Sequence, residues 1–148
     1  MPTLETIAIL NLVITAMLTG LIWTIQIVHY PLFAYVSPTD FPNYEKHHVN
    51  KITYIVAPLM LSELLLAICV FIYQTTSSTF TTLTYLNLAI LILIWLSTWL
   101  LQVPCHNQLK TEYNLDTIQK LSHTNWLRTL LWTAKTIIAA LLLTNTTS

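Results

Sequence analysis

Imidazole is the side chain whose charge changes nearest neutral pH, and it is also a ready metal ligand, so the five histidines at 29, 47, 48, 106 and 123 come first. Each stands at or near the end of a long apolar run. In "NYEKHH", Glu45 and His48 are at i and i+3, the spacing by which a carboxylate and an imidazole of one helix share a metal in di-iron bundles. The chain has too few other inward carboxylates for a full di-iron centre. A mononuclear site of Glu45, His48, His106 and His123 holding a single iron or copper ion is the metal expectation. Two alternatives stay open: a heme held between His29 and His106 or between His48 and His123, and no cofactor at all, with the imidazoles acting as acids, bases or a proton relay.

The elements that carry these groups follow from composition. A content of 55% hydrophobic residues and 8% charged residues, with one glycine in 148, does not suit a water-soluble domain. The expected fold is all-α: an integral-membrane up-down four-helix bundle forming one domain over 1–148, with spans at about 4–29, 50–74, 80–104 and 121–144. The first run lacks a basic start and a small-residue cleavage site, so it reads as a retained helix and not as a signal peptide. Pro31, Pro38 and Pro42 frame a loop after it, "TTSSTFTT" at 75–82 links the second and third spans, "KTEYNLD" links the third and fourth, and Pro104 limits the third helix.

Lys46, Lys51, Lys110, Lys120 and Arg128 flank the first and third connections, which predicts those loops in the cytoplasm and both termini outside. The basic residues form no patch large enough for nucleic acid. The expected partners are the lipid bilayer and a hydrophobic small molecule. A homo-oligomer stays open, since Gly20 is the lone glycine and no small-xxx-small motif marks a face. Cys69 and Cys105 fall toward opposite ends of the bundle, which argues against a disulfide.

An up-down arrangement gathers all five histidines at one end. Behind them run polar stripes at helical spacing: Asn11, Thr15, Thr19, Gln26 and His29 on the first helix, and Asn87, Thr98, Gln102 and His106 on the third. Polar side chains in lipid turn inward, so the stripes predict a hydrated or ligand-filled cavity opening toward the histidine end, or interhelical hydrogen bonds. Glu63 and Lys135 each lie about 20 Å into their spans at the helical rise, and equal depth predicts a structural ion pair. Arg128, seven residues before Lys135, shares its face and would suit an anionic or enolate oxygen. Trp95 and Trp126 are the candidates for flat contact with a ring, and Gln26, Tyr30, Gln102, Asn107 and Asn125 are the candidate polar contacts to a substrate.

"VPCHNQL" after the third helix and "HTNWLRTLLWT" entering the fourth resemble the paired signature of the small four-helix membrane proteins that include the anthrone oxygenases. That family shows Val-Pro-x-Asn-x-x-Leu, then an Asn or His, a Trp and an Arg-Thr pair. The matching positions are Pro104, Asn107 or His106, Leu109, Asn125, Trp126, Arg128 and Thr129, within the last third of the chain. His106 stands where the family more often has Asn, and "HYPLF" and "NYEKHH" lie outside its pattern. The resemblance implies oxidation of a polycyclic phenolic substrate to a quinone by dioxygen with no tightly bound cofactor. The catalytic candidates are then His29, His48, His106 and His123 as acid-base groups and Arg128 as the partner of an enolate. A heme- or metal-binding electron carrier and a non-catalytic transporter or assembly protein are the alternatives.

Overall fold

A computed structural model describes residues 3–73 and 78–146, and among these every regular element is helical. Four long helices form a bundle: α1, Leu4–Tyr35; α2, Phe41–Ile72; α3, Phe80–Leu109; and α4, Leu115–Thr146. Each is long and apolar enough to cross a membrane. The expected link at 75–82 begins outside the described residues.

Local chemistry sets the starts. Thr3 caps α1, its hydroxyl accepting from the Thr6 amide at 3.2 Å, with Glu5 in the first turn. Pro42 lies in the first turn of α2, where its missing N–H costs nothing. The Asn114 side-chain oxygen accepts from the Thr117 amide at 2.9 Å ahead of α4.

The second helix begins at Phe41, ahead of the expected span at 50, and as the Glu45–His48 spacing requires it includes "NYEKHH", with Glu45 turned inward. Two expected boundaries are corrected. Pro31 does not open a loop and Pro104 does not limit its helix, because α1 continues to Tyr35 and α3 to Leu109. The reason is the same in both. A π-turn occupies Ile25–His29 in α1 and Thr98–Gln102 in α3, closed by Tyr30 N–H to Ile25 O and by Val103 N–H to Thr98 O. The proline follows directly after the donor each time. A proline ring collides with the carbonyl four residues back, and one extra residue in the preceding turn relieves that collision while the helix goes on. The similar runs "QIVHYPL" and "QVPCHNQL" therefore encode one local device, used twice.

Packing is uneven. α4 lies against both α1 and α3, α1 lies against α2, and α2 with α3 is the loosest neighbouring pair. The main core gathers Leu18, Ile22, Phe33, Phe41, Ile94 and Trp132 with others, and a second cluster of Ile7, Val70, Phe80 and Leu142 closes one end.

Candidate ligand cavity and acid-base site

Between α2 and α3, where packing is loosest, lies a cavity of about 380 Å³. Ile52, Val56 and Met60 of α2, one helical turn apart, form one apolar wall, and Trp95 and Trp99 of α3 form the other. Its polar lining includes Tyr30 from α1, His48 and Thr53 from α2, Thr98, Gln102, His106 and Asn107 from α3, Arg128 from α4, and Lys110 just past the end of α3.

Next to this cavity three of the histidines form two bonded pairs, His29 with His48 and His106 with Glu45. His29 Nε2 and His48 Nδ1 are 2.9 Å apart, with the His29 ring edge-on to Phe33 and the His48 ring parallel to Tyr44. His106 Nδ1 bonds the fully buried Glu45 carboxylate, and His106 Nε2 stands 3.2 Å from the Tyr30 hydroxyl. The two pairs adjoin, the His48 and His106 ring centres being 5.9 Å apart. A carboxylate on Nδ1 fixes the tautomer, so Nδ1 carries the proton and Nε2, at the cavity wall, is the acceptor.

Arg128 comes in from the other side. It is 7% exposed; one Nη donates to Asn125 Oδ1 at 3.1 Å, its Nε has no partner, and the guanidinium lies over the Trp132 ring at 5.0 Å. No carboxylate pairs with it among the described residues. Asn125 in turn donates to Gln26 Oε1 at 2.9 Å, and the Gln26 amide nitrogen donates to Ser122 O at 3.2 Å. Gln102 is held likewise, accepting from Ser97 and donating to Thr124. Gln26 and Asn125 therefore position Arg128 and do not line the cavity, whereas Tyr30, Trp95, Gln102 and Asn107 do line it.

Two of the expected site residues stand elsewhere. His123 is exposed and joins neither histidine pair, and Trp126 is exposed with its ring edge-on to Trp23 at 5.7 Å. His123 is five residues before Arg128, about 140° around the helix, so once Arg128 faces inward His123 cannot. The metal set Glu45, His48, His106 and His123 is consequently not assembled. Among the described residues no group of three or more His, Cys, Asp or Glu side chains is arranged to hold a metal ion. The donors present do not fit the expected ion, since Glu45 and His106 are spent on each other and His29 on His48. The same bonds remove both histidine pairs expected to clasp a heme.

The aliphatic wall is not among the residues expected from the sequence. Its signal was there: positions 52, 56 and 60 recur at helical spacing opposite Trp95 and Trp99.

Deeper in the bundle, Lys135 Nζ is 3.1 Å from Glu63 Oε1, and both side chains are fully buried. The Thr15 hydroxyl donates to Glu63 Oε1 at 3.0 Å and accepts from Lys135 at 3.3 Å, while Trp132 Nε1 donates to Glu63 Oε2 at 3.2 Å. Thr19 extends the contact with α4 through Thr136 at 2.7 Å. Cys69 and Cys105 are free thiols. No family model matches the chain, and no curated protein and no solved structure matches it.

Proposed function

We propose that the chain is an integral-membrane up-down bundle with both termini on the non-cytoplasmic side, acting as an enzyme on a hydrophobic phenolic or enolisable compound held between α2 and α3. The observation that carries this reading is one cavity lined by both a carboxylate-oriented imidazole and an arginine that lacks a carboxylate partner. A phenol or an activated C–H gives its proton to the Tyr30 hydroxyl as that hydroxyl passes its own to His106 Nε2, and Glu45 steadies the imidazolium that results. The negative charge collects on the ligand oxygen, where the buried guanidinium is worth more than it would be in water. The aliphatic and indole walls hold the ring system and exclude water.

Arg128, which lines the cavity, stabilises an oxyanion through its guanidinium, and the Asn125–Gln26 chain prevents the side chain from swinging away. The likeness to the anthrone oxygenases supplies the next step. Dioxygen accepts the electrons of the carbanion, so that a ring CH₂ and O₂ become a ring C=O and water. Every role in this scheme belongs to a side chain, and none requires a bound cofactor.

The test uses the purified protein in lipid nanodiscs, 1-naphthol as probe and its methyl ether as control. Binding of naphthol should bring up the naphtholate absorption band below the pH at which it appears in buffer, and His106→Asn or Arg128→Met should abolish that band. Equal affinity for the ether together with no naphtholate band overturns the reading.

A further inference from the structure

The cavity between α2 and α3 has a buried polar floor and an exposed rim. Ile25, Tyr30, Gln102 and Arg128 line it and are buried. Thr53 and Leu61 of α2 and Trp99 and Val103 of α3 line it too, yet they are exposed, Leu61 to 52% and Trp99 to 60%. These four flank the seam between two neighbouring helices. In a bundle that crosses a bilayer, the outer side of such a seam faces lipid.

The seam has the depth of one leaflet. Leu61 is ten residues beyond Lys51, about 15 Å at the helical rise, and half of a hydrocarbon core is also about 15 Å. Its polar end, at His48, Asn107 and Lys110, lies toward the helix ends that carry the histidines, and its apolar end, at Met60, Leu61 and Trp95, lies toward the middle of the bundle.

Both walls are irregular at this depth. Pro58, inside α2, offers no N–H to the Tyr54 carbonyl. The π-turn Thr98–Gln102 interrupts α3, and Thr98, Trp99 and Gln102 of that turn line the cavity. His48 adjoins His106 and the two helices run in opposite directions, so Pro58, ten residues on, comes level with Leu96, ten residues back and within a turn of Thr98. Broken regularity on both sides keeps the ridges of the two helices from interlocking, which is a local cause of the loose packing.

Whatever covers the seam has to suit the floor as well as the rim. An ordinary acyl chain would leave the Arg128 guanidinium without an anion. A second copy of the bundle would bring none to this depth, since Glu45 and Glu63 are fully buried and Glu5, Asp40, Glu112 and Asp116 lie at or beside helix ends. The occupant combines an ionisable head for the floor with a hydrocarbon remainder for the rim. We propose that the α2–α3 seam is a lateral portal to the leaflet on the histidine side, and that the ligand is a phenol bearing a hydrocarbon chain. It enters from the lipid, sets its ring on the polar floor and keeps its chain in the portal between Ala57 and Leu61 of α2 and Trp95 and Trp99 of α3. A two-ring phenol without a chain fills only part of the roughly 20 Å from His48 to Leu61. Lipid is as apolar as these walls, so the chain guides and orients the ligand and adds little affinity once the ligand is counted per lipid.

The inference rests on the phenol reading of the cavity and on the membrane reading of the helices. The naphtholate band tests the first, flotation with lipid tests the second, and the portal has its own experiment. Para-octylphenol with a diazirine at the end of its chain is irradiated with the unaltered protein in nanodiscs, and the labelled peptides are mapped by mass spectrometry. Label should fall on 53–61 and 95–103, and excess unlabelled octylphenol should remove it. Label that persists against the excess means that ordinary lipid covers the seam and overturns the portal. So does an absence of label there, or competed label confined to α1 and α4, even where naphthol gives its band. Competed label in the seam without a naphtholate band leaves the portal standing and overturns the phenol chemistry. In a second measurement, Ala57→Trp crowds the seam and should weaken octylphenol about tenfold more than phenol, both counted per lipid. Equal losses for the two, or no loss for octylphenol, overturn the placement of the chain.

Discussion

The bundle contains two buried carboxylates, and their surroundings give them opposite tasks. Glu63 is surrounded on three sides, by Lys135, Thr15 and Trp132, so that each of its oxygens is engaged. Glu45 has one partner, His106, and its second oxygen is unpartnered. The first is a closed electrostatic unit in the tightly packed α1–α4 half. The second sits beside the loosest helix pair, next to a cavity and an arginine without a carboxylate. Tight packing lets charges cancel within the chain, whereas loose packing leaves them for a ligand.

Breaking the closed unit should have the largest effect. Lys135→Met leaves Glu63 charged and alone in the bundle interior, at a cost of about 3–5 kcal/mol in stability. Thermal unfolding in detergent checks it, and the double variant Glu63→Gln, Lys135→Met should recover most of the loss. A single variant as stable as the parent would mean that Glu63 is already neutral.

The open half should respond in function and not in stability. Arg128→Met removes a buried charge that no carboxylate compensates, so the folded protein should be no less stable while affinity for a naphtholate-type anion falls about 10- to 100-fold. Titration calorimetry in nanodiscs measures the affinity, and a drop in stability of several kcal/mol would reassign Arg128 to the closed class.

A smaller effect is expected from Glu45→Gln. The amide oxygen can still accept from His106 Nδ1–H, but the charge that steadies the imidazolium is gone, for a loss of about tenfold in turnover with little change in binding. Steady-state oxygen uptake with the hydrophobic phenol separates kcat from KM, and a change in KM alone would contradict an orienting role. The smallest effect should come from His123→Ala, within about 0.5 kcal/mol in stability and without consequence for activity, since the residue is exposed and outside both histidine pairs. Loss of activity in this variant would restore the expected four-histidine site.

Much of this division could be read along the chain. Four apolar runs announce four helices, and the equal depths of Glu63 and Lys135 bring them to one level, because helical rise is a fixed length per residue. The inward turn of Arg128 follows from its spacing to Lys135. That same spacing turns His123 and Trp126 outward, on the opposite side of α4 from Arg128, against the expectation for both. The i, i+3 spacing of Glu45 and His48 placed "NYEKHH" on α2, but that Glu45 alone of this polar stretch would be fully buried was not legible from composition.

Other features depended on neighbours that local pattern does not name. Prolines at 31 and 104 read as stops because the sequence rule treats the carbonyl four residues back as fixed, and a π-turn moves it. Whether His29 would face His106 or His48 depended on how the helices rotate against each other, which is decided by side-chain packing across the bundle. The sequence by itself determined which residues lie at each depth, since rise and spacing are properties of one helix. Only the tertiary structure decided which groups meet at that depth, because a hydrogen bond tolerates an error of a few tenths of an ångström and helix spacing alone does not define position that finely.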